Sequence, residues 1–130
     1  NPMLIVHDAL VCDGSLNVIH SSWINYMNLD VQQGVLGNII KNAYTGAMLA
    51  FKKELKDIIL PFPPMIEMHD QWIGLACIME KQKIHFINKP LMKYIRHGEN
   101  VTGFNKRPLK LKLAGRLKTL KAINWYKKNK

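Results

Sequence analysis

Apolar positions along the chain fall first into a strand pattern, then a mixed one, and finally a helical one. Residues 3–12 are rich in Leu, Ile and Val, the composition of a buried strand. Asp13-Gly14-Ser15 supplies a turn, and residues 16–20 read as a short strand returning from it, so the opening predicts a hairpin. His7 and Asp8 interrupt the first strand with two polar groups. The undemanding reading puts them at an edge or strand end with solvated side chains.

Residues 23–29 predict a loop or short helix. Residues 31–42 predict a helix with Val35, Ile39 and Ile40 on one face, weakened by Gly34 and Gly37. The small apolar run 42–51 reads as a central strand, in which Gly46 marks a close approach to the backbone. Residues 52–59 predict a short helix with Leu55, Ile58 and Ile59 facing inward, stopped by Pro61. After the break Pro61-Phe62-Pro63-Pro64, residues 72–79 read as a largely buried helix. A polar break at Lys81-Gln82-Lys83 leads to a short strand over 84–87, a turn at Asn88-Lys89-Pro90 and a second strand over 91–96. Alternation there puts Met92, Tyr94 and Arg96 on one side and Leu91, Lys93 and Ile95 on the other. In the tail, Leu109, Leu113, Leu117, Leu120 and Ile123 share one helical face. Strands and helices in mixed order favour an α/β fold over a bundle.

Composition changes this picture little. At 130 residues and 48% hydrophobic, the chain has enough material for a core. No apolar run is long enough to span a bilayer, and no signal-peptide pattern is read at the start. Cys12 and Cys77 are far apart and read as free core thiols of a reducing compartment, with a disulfide as the lesser alternative.

Charge changes it more. Residues 106–130 hold ten Lys or Arg and no acid. Of the 19 basic residues, nine therefore precede residue 106, together with all nine acids, so residues 1–105 are formally neutral. An anionic partner is thus expected to meet the tail. The tail helix has three readings. It docks on its own domain, it lies on an anionic membrane, or it contacts nucleic acid; docking is the default, and the neutral body argues against nucleic acid.

The densest chemistry is Glu67-Met68-His69-Asp70-Gln71-Trp72, at the start of the buried helix. A carboxylate there is favoured by the helix's orphan N–H groups. The plain reading makes Asp70 the helix N-cap; the chemical one makes it a base. His97-Gly98-Glu99-Asn100 forms a polar loop at a strand end, where α/β proteins place ligand chemistry.

In this order and spacing the chain resembles the C-terminal half of bacterial family-two glycosyltransferases of the rhamnosyltransferase-like kind. The residues that carry the resemblance are the strand ending in Asp13-Gly14, Thr45-Gly46 with Phe51-Lys52-Lys53-Glu54-Leu55, and Met68-His69-Asp70-Gln71-Trp72. Asn88-Lys89-Pro90-Leu91 and Tyr94-Ile95-Arg96-His97-Gly98-Glu99-Asn100-Val101 complete them. The resemblance implies the C-terminal portion of a GT-A sheet flanked by helices over residues 1–105, with 106–130 as a basic amphipathic helix. It implies sugar transfer with inversion from a nucleotide-sugar to a saccharide or lipid-linked acceptor in surface polysaccharide synthesis, at the cytoplasmic side of the inner membrane. Asp70 matches the catalytic base. His69 and Trp72 would shape the acceptor pocket, Thr45 and Gly46 would line it, and His97 would approach the donor diphosphate and its Mg or Mn ion.

The chain also departs from that family. It has no Asp-x-Asp, the motif through which such enzymes hold the metal, and no nucleotide-binding half. One imidazole does not hold a divalent ion tightly. The resemblance therefore leads to an expectation of a fragment without turnover or tightly bound metal, prone to self-association through uncovered surface. The rival from another class is a binding module whose tail contacts anionic membrane or nucleic acid. A hydrolase built on His7 and Asp8 is weaker still, since no nucleophile motif accompanies them.

Overall fold

The strand that opens the chain, β1 (Leu4–Cys12), runs through the middle of a four-stranded mixed sheet. The computed structural model describes residues 1–96 and 108–130. β2 (Val18–His20) returns antiparallel to the end of β1, as the Asp13-Gly14-Ser15 turn predicts. The Asp13 carboxylate closes that turn by accepting from the Ser15 and Asn17 amides, both at 2.9 Å. β3 (Leu49–Phe51) pairs antiparallel with Leu4–Val6, and β4 (Ile84–Ile95) pairs parallel along β1 from Leu4 to Cys12. Because β4 occupies one whole edge of β1, β2 and β3 share the other.

Centrality corrects the reading of His7 and Asp8. Asp8 is buried inside the sheet, and its carboxylate accepts from the Ile24 amide (3.0 Å), the Ala9 amide (2.8 Å) and the Ser22 hydroxyl. It thereby ties β1 to the start of α1 (Trp23–Tyr26), whose N-cap is Ser22. A buried carboxylate is tolerable with this many donors.

Two other predicted elements differ. The strand expected over 42–51 is reduced to β3, preceded by a 3-10 turn at Gly46–Met48. The reason is local: Asn42 Oδ1 accepts from the Tyr44 amide (3.0 Å) and Asn42 Nδ2 donates to the Tyr44 carbonyl (2.9 Å). Those are the groups a sheet ladder would use. In the other direction, the turn expected at Asn88-Lys89-Pro90 lies inside β4, where the pairing jumps from His7 with Ile87 to Asp8 with Pro90. Among the described residues β4 is an edge strand, which is where a proline can sit in a sheet.

The helices pack on the buried side of β1. α2 (Val35–Ile40) is shorter than expected, and it turns Asn38 and Ile39 inward while Ile40 is exposed. The buried Asn38 amide accounts for this, since its Oδ1 takes the Ala43 amide (3.1 Å) and its Nδ2 reaches the Gly34 carbonyl (3.0 Å). α3 (Lys56–Ile59) continues a 3-10 turn at Lys53–Leu55, and Leu55 and Ile59 are buried as expected. α4 (His69–Met79) is the core helix, burying Trp72, Leu75, Ala76 and Cys77 against Leu4 and Val6 of β1.

α5 (Leu109–Asn129) docks through Ile123 of the predicted face but not through that face's leucines. Thr119, Ala122 and Ile123 are buried, whereas Leu109, Leu113, Leu117 and Leu120 are about half exposed or more. Small side chains let the helix approach α4 closely enough for the Thr119 hydroxyl to reach Gln71 Oε1 (3.5 Å). Tyr126 meets Trp72 edge-on and donates to Glu80 (2.9 Å). Among the described residues, no helix is long and apolar enough to cross a membrane.

Candidate functional site

Asp70 is not the N-cap of α4. Met68 holds that position without a side-chain bond, and Asp70 is the second helical residue. From there its half-buried carboxylate reaches out of the helix. Oδ1 accepts from the Gln71 amide (2.7 Å) and from Asn42 Nδ2 (3.2 Å), and Oδ2 accepts from the Gly46 amide (3.1 Å). A carboxylate oxygen can take two donors, so Oδ2 keeps room for one more.

The close approach expected at Gly46 is thus Asp70 itself. A Cβ on Gly46 would stand 3.7 Å from Asp70 Cβ, an ordinary contact, so the exposed glycine leaves the carboxylate open without being sterically required. Thr45, next in the chain, accepts through Oγ1 from the Trp23 indole (3.1 Å). Trp23 in turn stacks on Tyr94 of β4 at 4.1 Å. The turn that faces Asp70 is therefore anchored to the sheet.

Of the other predicted site residues, His69 stays beside Asp70 and Trp72 turns away from it. His69 is exposed beside Asp70, its ring edge-on to Phe62 at 4.8 Å. Trp72 is fully buried, with its indole N–H on the Ile59 carbonyl (3.1 Å), so no face of it is open to a ligand. Two residues along a helix point to opposite sides, and this puts Trp72 in the core when Asp70 is at the rim. His97 lies outside the described residues.

Asn42 and Trp23 are the members that sequence reasoning missed. Asn42 joins the turn to the acid: its one amide nitrogen donates both to the Tyr44 carbonyl and to Asp70. An Asn two residues before a core aromatic is an Asx-turn signal, and it was available in the sequence.

Among the described residues no group of three His, Cys, Asp or Glu comes together to hold a metal. A separate cleft of about 390 Å³, lined by Val6, Tyr44, Lys81, Ile84 and Phe86, does not include Asp70. The chain matches no protein-family model, no curated protein and no solved structure.

Proposed function

We propose that this chain carries the acceptor side of an inverting glycosyltransferase of the GT-A type, with Asp70 as its base. One observation carries the reading. Thr45-Gly46 and Asp70 are separate motifs 24 residues apart, and they meet through the Gly46 amide on Asp70 Oδ2. An acceptor hydroxyl donating to the remaining site on Oδ2 would be aligned by Gly46 and Thr45. As that oxygen attacked the anomeric carbon of a nucleotide-sugar, its proton would pass to Asp70. The nucleoside diphosphate would leave from the opposite face of the sugar. A diphosphate leaves as an anion, so one carboxylate suffices for inversion.

His69, exposed beside the acid, would contact the acceptor, and Trp72 would support the site from within α4. The acceptor is a saccharide or lipid-linked saccharide of surface polysaccharide synthesis. The test is Asp70→Asn in the protein that also carries a donor-binding half. It is expected to lower kcat by about 10²- to 10⁴-fold with little change in donor KM. Undiminished turnover would remove Asp70 from the chemistry.

A further inference from the structure

Four of the five leucines that α5 keeps out of the core form one stripe, with Leu111 off it. Leu109, Leu113, Leu117 and Leu120 recur at three- and four-residue steps and are 51–66% exposed. Arg116, at the border between this stripe and the docked face, donates to the Ile40 carbonyl through Nε (3.3 Å) and Nη2 (3.2 Å). That bond sets α2 alongside the stripe, with Leu36 and Ile40 at 70% and 53% exposure. The four leucines of the stripe, with Leu36 and Ile40 exposed on the neighbouring α2, are the kind of apolar surface that marks a partner site.

The charge around the patch narrows the partner. α5 carries seven Lys or Arg and no acid. By helical spacing, Lys110, Lys121 and Lys128 run along the outer border of the leucine stripe. We propose that this face of α5 and α2 docks on an anionic lipid bilayer, with the leucines among the upper acyl chains and the lysine border at the headgroups. A second copy of the chain would bring two helices of the same strong positive sign together. A nucleic acid would satisfy the lysines but leave the leucines in water. An acidic membrane surface satisfies both. The proposal stands independently of Asp70 and of the transferase reading.

The test is co-sedimentation of the 130-residue chain with phosphatidylcholine vesicles, with and without phosphatidylglycerol. Binding is expected to be at least about tenfold tighter with the anionic lipid. The triple variant Leu113→Gln, Leu117→Gln, Leu120→Gln is expected to lose about tenfold or more, although its charge is unchanged. These positions are exposed, so its thermal midpoint should stay near that of the parent. Should the triple variant lose its fold, Leu113→Gln and Leu117→Gln taken singly ask the same question, each with a severalfold loss. Leucine variants that bind as the parent does would reduce the contact to charge alone and overturn the proposal. So would a lipid-free dimer that the leucine changes dissociate, which would assign the face to a second copy. Leucine-independent binding to duplex nucleic acid in preference to vesicles would overturn it as well.

Discussion

Tyr44 and Gly74 meet where coil crosses helix. A Cβ on Gly74 would stand 2.1 Å from the Tyr44 ring, closer than any real contact. In an open helix interior, Gly→Ala stabilises by about 1 kcal/mol. Here the ring is buried and cannot step aside, so the clash outweighs the propensity. Gly74→Ala is expected to lower stability by about 1–3 kcal/mol in urea unfolding, and a variant more stable than the parent would contradict the packing. The same scale shows what a sequence pattern hides. Asp8 looks like a polar intrusion because its donors, Ser22 and the Ile24 amide, lie 14 and 16 residues further on. Trp72 looks like part of the site because it is two residues from Asp70, yet helical phase turns it into the core. That Asp70 stands at a helix start was legible from its neighbours, but its bonds to Asn42 and Gly46, 28 and 24 residues away, were not.

Among the elements, the strong β pattern of residues 3–12 and the apolar run of 72–79 corresponded to β1 and α4 closely, because each buries more than half of its residues in the core. α5 was legible as a helix but not in its orientation. Leucine periodicity names an apolar face, whereas docking selected the face with Thr119 and Ala122, which allows close approach to α4. The two faces are separable by stability. Ile123→Ala is expected to cost about 2 kcal/mol, since a 9% exposed side chain leaves a cavity. Leu113→Ser, at 52% exposure, should stay within about 0.5 kcal/mol. Equal losses in chemical denaturation would mean that the leucine stripe, too, is packed.

For the whole molecule, the sheet puts β1 at the centre and hangs the helices on one side of it. Gln71 joins them: its Nε2 donates to the Asn38 carbonyl of α2 (2.8 Å), while its Oε1 faces Thr119 of α5. The mixed α/β class followed from the order of elements, but the sheet order depends on pairings between residues about 80 positions apart, which no local pattern encodes. Burial also gives the fold a pH signature. It pushes the Cys77 thiol from 9.0 up to about 11 and the Tyr44 phenol from 10.0 up to about 12. Both groups are held neutral in the fold and ionise more readily when unfolded. Their contribution is therefore complete below pH 9 and is lost as pH rises toward 12. For the thiol alone the loss is on the order of 2 kcal/mol. Stability should be level from neutral pH to about 9 and then fall, and Cys77→Ala should flatten the fall between 9 and about 11. An unchanged slope in that variant would remove the thiol as a cause.

An acceptor hydroxyl arriving at Asp70 would be felt by the amides of Gly46 and Gln71, both bonded to its carboxylate. The most direct measurement follows their NMR resonances in the 130-residue chain during titration with millimolar mono- and oligosaccharides. An acceptor saccharide is expected to move both amides together, and Asp70→Ala to abolish the response. Resonances that stay still across the saccharides, or that move equally in Asp70→Ala, would contradict it.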